Sequence, residues 1–181
     1  RKDKNDSNEL AFVFVIDFPM FEWREAEKRW DAVHHPFTKI RNTKYEIRKE
    51  NAEKMVADQY DFVLNGYEIG GGSIREHDPK VLEAVFEIMG HPKEAVREKF
   101  GHLLDAFEFG APPHGGIAPG IDRLLMILLG EPNIREVIAF PKTGDARDLM
   151  MDAPAELDEK QLRELHLRIE REKRIEEEKQ A

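Results

Sequence analysis

Cysteine is absent from this chain, which excludes disulfides and thiolate metal ligands and fits a reducing cytosol. Also missing are any apolar run long enough to cross a bilayer and any signal-peptide pattern at the start, so a cytoplasmic location is expected. Net positive charge is lacking too, since 28 Lys and Arg stand against 37 Asp and Glu. The resulting charge of −9 argues against a global electrostatic grip on nucleic acid. Local basic clusters remain at Arg24, Lys28 and Arg29, and across Lys39, Arg41, Lys44, Arg48 and Lys49. Charge patterning reads both as solvated surface.

What is present is enough for one domain with a real hydrophobic core in 181 residues. Residues 1–10 read as a polar linker or edge, 11–155 as the domain, and 156–181 as a C-terminal helix with a charged tail. The start at Arg1 and the run "RIEREKRIEEEKQA" lead us to expect a piece of something longer. "AFVFVIDF" (11–18) is continuous, apolar and β-branched, as in a buried strand. Residues 20–34 read as a polar hairpin or loop leading into "HHPFT". A helix is expected from Asp78 as N-cap, with Pro79 in its first turn and Gly90 past its end. A second covers 93–108, with Val96, Phe100, Leu103, Leu104 and Phe107 on one stripe. "APPHGGIAPG" is a loop with a short strand feeding a third helix, "IDRLLMILLG". "VIAFP" (137–141) reads as extended, and Asp158 with Gln161 as a capping box. Hairpins mixed with helices, without regular βαβ units, predict an α+β fold with a mainly antiparallel sheet flanked by helices.

"DFVLNGYEIGGGSIR" (61–75) holds the strongest hairpin signal, Asn65-Gly66. A two-residue turn there puts Leu64 opposite Tyr67, Val63 opposite Glu68 and Asp61 opposite Gly70. Asp61 and Glu68 then share a face as diagonal neighbours, about 7–8 Å apart at the backbone. Two hard oxygen ligands with an open coordination sphere suit Mg²⁺ held jointly with phosphates. Strict alternation turns Arg75 to the opposite face, and a bulge within Gly70-Gly71-Gly72 is expected to bring it back. The alternative for this stretch is a surface hairpin with incidental charges.

In the third helix, Ile121, Leu124, Leu125 and Leu128 form one face, which leaves Arg123 in the first turn. There the dipole disfavours a cation by about 0.3–1 kcal/mol. Surplus positive potential at a helix start suits a polyphosphate. Pairing of Arg123 with a nearby acid is the other reading.

Together, "DFPMFE" (17–22), "HHPFT" (34–38), "DFVLNGYEIGGGSIR", "KFGHLLDAFEFGAPPHGGIAPGIDR" (99–123) and "IREVIAFPKTGDARDLM" (134–150) give a specific pattern. In this order they resemble the second half of the catalytic domain of class II aminoacyl-tRNA synthetases, specifically of the bacterial-type aspartyl-tRNA synthetases. The resemblance implies activation of L-aspartate by ATP to aspartyl-adenylate, transfer to tRNA(Asp), Mg²⁺ as cofactor, and a homodimeric parent. It implies Asp61 and Glu68 as metal ligands, and Glu68, Gly120 and Arg123 at ATP. Arg75, His34 and His35 would contact aspartate, and Arg123 would be the catalytic arginine. The first and second class II motifs have no counterpart here, so the chain alone is expected to be inactive. Pro119 stands where the family usually carries an aromatic residue. A tRNA-independent adenylating relative of asparagine synthetase type, or a non-catalytic paralogue, are the competing readings.

Overall fold

The computed structural model of the chain describes residues 9–41 and 44–170, so most of the expected linker and the charged tail lie outside the described residues. Two compact units divide between Val137 and Ile138, ahead of the 155/156 boundary read from the sequence.

In the first unit a four-stranded antiparallel sheet has the order β1-β4-β5-β6, formed by Phe12–Val15, Gln59–Leu64, Tyr67–Ile74 and Gly115–Pro119. A separate hairpin pairs β2 (Phe21–Arg24) with β3 (Arg29–Ala32), where a hairpin or loop was expected. Helices α1 (Pro79–Ile88), α2 (Lys93–Glu108) and α3 (Ile121–Leu129) complete this unit, with short 3-10 turns at Lys49–Lys54 and Ile134–Glu136. This is the α+β arrangement that the pattern implied.

The helix starts follow from local chemistry. Asp78 Oδ1 accepts from Lys80 N at 2.8 Å and Pro79 opens α1. Glycine ends α1 and α3, at Gly90 and Gly130. Along α2 the expected stripe is the packed side: Val96 and Leu104 are buried, and Phe100 and Phe107 pack against them. Phe37 meets Phe86 and Phe100 with ring centroids 5.9 and 5.5 Å apart, which welds the loop after β3 to the helix pair. A second cluster joins Met20, Phe21, Ile40 and Met55 to Val85 and Ile88 of α1.

Three expectations need correction. The run 11–18 does form a strand, but β1 is not buried: Phe12 to Val15 are 41–58% exposed. Among the described residues it is the sheet's edge, paired with β4 alone, and no element packs closely over either of its faces, so side chains on both meet solvent. Residues 137–141 contain no strand, because this short apolar run finds no ladder partner. Finally, the bulge in β5 falls one residue before the glycines. Val63 pairs with Glu68 and Phe62 with Gly70, leaving Ile69 as the extra residue. Asp61 therefore lies opposite Gly71, not Gly70, and the ladder runs regularly through the glycines.

In the second unit α4 spans Glu159–Glu164, and Gln161 Oε1 accepts from Asp158 N at 3.2 Å, closing the expected capping box.

Candidate active site

The β4–β5 turn fixes where each charge projects. Asn65 (φ 50°) and Gly66 (φ 88°) both take the left-handed conformation that a two-residue hairpin turn demands. Asn65 also accepts from Ala11 N at 2.8 Å, which ties the turn to the approach of β1. From that turn, the bulge at Ile69 resets the alternation of β5. Glu68, Gly71, Ser73 and Arg75 then share the face of β4 that carries Asp61 and Gln59. The parity change expected of the glycines is delivered by Ile69, which is itself buried.

Asp61 and Glu68 converge over Gly71. A Cβ added there would lie 2.9 Å from Glu68 Oε1 and 3.3 Å from Asp61 Oδ1. Gly71 is thus the gap above which two carboxylates meet. Its neighbour Gly72 faces the other way, and a Cβ there would lie 2.9 Å from Gly116 C and Ile117 Cα and run into the Gly116 carbonyl oxygen. Only one of these two glycines opens toward the charges; the other lets β6 approach. Two carboxylates with room above them fit a hard cation that takes its other ligands from phosphates and water. No cluster of three or more His, Asp or Glu that could hold a metal alone occurs among the described residues.

Arg123 reaches back from the first turn of α3. Its Nη1 donates to Glu68 O at 2.7 Å and lies 3.5 Å from Glu68 Oε2. The pairing alternative for this arginine is therefore realised, and its partner is one of the two convergent carboxylates. Gly120, expected at the nucleotide, spends its N–H on Ile69 O at 2.8 Å, joining α3 to the bulge.

At the other end of the strip, Thr38 bridges to Arg75 and Lys39 N donates to Ile74 O at 2.9 Å. The loop before Thr38 carries the histidines. Arg75 Nη1 lies against both ring nitrogens of His35, 3.3 Å from Nδ1, and Thr38 Oγ1 is also 3.3 Å from Nδ1. Burial, then the Arg75 guanidinium, then His34 push the His35 imidazole below its ordinary value of 6.5. A neutral ring has the lone pair that a guanidinium donor needs. His34 is exposed and turns the other way, meeting Phe18 edge-on at 5.0 Å.

The structure thus brings Asp61, Glu68 and Arg123 together at one end, and Arg75 with His35 at the other. The ends are about 13 Å apart along the strand, four residues from Gly71 to Arg75. Between them lie Gln59 and Ser73, paired across the strands and buried, with Gln59 Oε1 and Ser73 Oγ lacking a hydrogen-bond partner. Sequence reading passed over this pair. The same alternation that selects Asp61 selects Gln59, and was the signal available. The basic clusters are offset by acids: Arg24 pairs with Glu22, Arg29 with Glu27 and Asp31, and Arg48 with Glu46.

This sheet face carries convergent carboxylates at one end, a guanidinium at the other and an arginine from a helix start, so it has the charges to meet a cation at one end and an anion at the other. The family model of class II tRNA synthetases (D, K and N) matches residues 2–144, and the chain belongs to that family. Among curated relatives it is 54% identical over 171 residues to an aspartate–tRNA(Asp/Asn) ligase of Dehalococcoides mccartyi, covering 94% of this chain and 29% of that protein. It is 51% identical over 164 residues to an aspartate–tRNA ligase of Macrococcus caseolyticus, covering 91% and 28%. The chain therefore spans under a third of the length of the curated relatives it matches. Among solved structures, the aspartyl-tRNA synthetase from Entamoeba histolytica superposes with a TM-score of 0.53 at 26% identity, covering 74% of this chain and 23% of that one.

Proposed function

We propose that this chain is the part of an aspartate–tRNA ligase that holds ATP and reads L-aspartate. The single observation carrying this reading is the face of β4 and β5 on which Asp61 and Glu68 meet over Gly71 while Arg75 stands further along the same row. An extended ligand with phosphate at one end and a carboxylate at the other matches that spacing.

Each residue has a role in this reading. Asp61 and Glu68 hold Mg²⁺, which when bound neutralises phosphate charge. Arg123 leaves its contact with Glu68 to cover the adenine and the terminal phosphate, the role the family resemblance gives it. Gly120 sets the start of α3 against the bulge, so that Arg123 arrives over Glu68. Arg75 takes the side-chain carboxylate in a forked, charge-assisted contact, which disfavours the neutral amide of asparagine. His35, kept neutral, occupies Arg75 until substrate arrives, and His34 closes with it. The amino acid's carboxylate attacks the α-phosphorus in line, forms the mixed anhydride and expels pyrophosphate. No protein nucleophile is required, since positioning and charge neutralisation supply the rate. Transfer to tRNA(Asp) follows, in a cytoplasmic, homodimeric parent.

Pyrophosphate exchange into ATP tests the reading. The product of the complete reading frame should exchange in the presence of L-aspartate and not L-asparagine, and the 181-residue chain alone should not. Exchange with asparagine, or aspartate-dependent exchange unaffected by Arg75→Lys, would overturn it.

A further inference from the structure

Arg41 lies outside the strip of site residues, yet it is among the most heavily engaged side chains near the histidine loop. Its Nε and Nη2 both donate to Asp58 Oδ1, at 3.1 and 2.8 Å, and its Nη1 donates to Asp17 Oδ1 at 2.5 Å. These acids are 24 residues upstream and 17 downstream. Asp17 has φ 64°, a left-handed conformation that a non-glycine residue adopts at a cost. That turn carries the chain off β1 into Phe18, whose ring meets His34. Asp58 immediately precedes β4, and its N–H donates to Lys39 O at 2.7 Å.

The loop that carries His34 and His35 has two feet. At its entry Val33 N donates to Met20 O at 3.1 Å, and Met20 N to Met55 O at 2.8 Å. At its exit Thr38 bridges to Arg75, Ile40 bridges to Ala57, and Arg41 N donates to Val56 O at 2.8 Å. Arg41 ends the exit foot. Its side chain is a point where that foot, the Asp17-Phe18 turn and the start of β4 are joined through charge.

We propose that Arg41 is a positioning residue, whose clasp of Asp17 and Asp58 holds the His34–Phe37 loop against Arg75. The clasp itself is read from the contacts; its effect on aspartate rests on the proposed function. Arg41 touches neither Arg75 nor the carboxylate pair in any contact described, so its influence runs through the loop feet. Because the clasp is partly exposed, its loss should change local equilibria about 3–5-fold, the range of an exposed ion-pair network, without unfolding the chain.

The experiment uses the product of the complete reading frame and two variants, Arg41→Ala and Asp17→Asn. The second keeps a side chain that tolerates the left-handed turn and removes only the charge. Hydrogen–deuterium exchange in peptides covering 33–40 and 56–58 should accelerate about 3–5-fold in both variants, with peptides from α1 and α2 unchanged. In pyrophosphate exchange the aspartate KM should rise by a similar factor, with the KM for ATP within about twofold of the parent. Unchanged exchange in 33–40 overturns the proposal, as does equal acceleration across α1 and α2, which marks general destabilisation. Faster loop exchange with aspartate and ATP KM values rising together also overturns it. If the unsubstituted protein activates no aspartate, the functional reading fails, and the deuterium arm still decides the clasp.

Discussion

The helix-flanked end of the first unit and the open β1 edge of its sheet both present apolar side chains, and only the first buries them. Leu82 and Val85 on α1 are 0% exposed, whereas Val13 and Phe14 on β1 are 53% and 58% exposed. Helix α3 repeats the contrast within one element: Met126 is buried while Ile121, Leu128 and Leu129 are 56–65% exposed. An apolar run therefore reports that a surface is suited to burial, not that these 181 residues bury it. Exposed patches and unpaired edges of this kind are where association begins.

The contrast makes its strongest forecast in stability. Leu82→Ala should cost about 2–5 kcal/mol, because it removes a fully buried side chain from the α1–α2 cluster and leaves a cavity. Val13→Thr, nearly isosteric on the open edge, should stay within about 0.5 kcal/mol of the parent. Urea denaturation of both variants gives the comparison directly, and similar losses would break it.

Gly71 and Gly72 carry the same contrast down to adjacent positions. Gly72→Ala drives a methyl into the β6 backbone and should cost about 1–3 kcal/mol, the range of overpacking. Gly71→Ala meets only carboxylate ends, which can swing aside, so thermal stability should hold while Mg²⁺-dependent ATP binding by the full-length product weakens. Thermal melts paired with calorimetric titration of Mg²⁺-ATP separate the two outcomes. A large stability loss at Gly71 would mean that its space serves packing and not the ligand.

Much of this was legible in the sequence. Asn65-Gly66 gave the turn, Asp78-Pro79 the start of α1, and the stripe Val96, Phe100, Leu104 the packed side of α2. Convergence of Asp61 with Glu68 followed from alternation alone. The bulge was legible in its effect and not in its place: glycines advertise backbone freedom, but the extra residue is Ile69, an apolar side chain that gains burial there. Exposure of β1 could not be read, since a strand's own residues do not say whether both neighbours are present. The clasp of Arg41 on Asp17 and Asp58 was hidden as well, because its charges are distant in sequence and meet only after β4 pairs.

The smallest effects concern acid. Glu83 on α1 is pushed up by burial, but Lys93 and Arg97 override this and hold its carboxyl below the ordinary 4.5. A lowered carboxylate contributes stability above its ordinary value that is lost as pH falls through the folded one. Glu83→Gln should therefore cost about 0.5–1 kcal/mol at neutral pH and progressively less in strong acid. His35 acts in a higher window and belongs to the site, not the helix pair. Its folded value is also below the ordinary one, so below about pH 6.5 the unfolded chain binds a proton that the folded chain refuses, and stability falls with pH there. His35→Gln removes that proton uptake while keeping a polar group beside Arg75. Urea midpoints taken between about pH 7.5 and 5.5 should decline more steeply for the parent than for His35→Gln, while Glu83→Gln keeps the parent's slope in this range. Two acid responses would then map onto the two ends of the unit. A His35→Gln slope equal to the parent's would mean that the ring against Arg75 accepts its proton as freely as in the unfolded chain, and the contrast between a closed scaffold and a poised site would lose its electrostatic half.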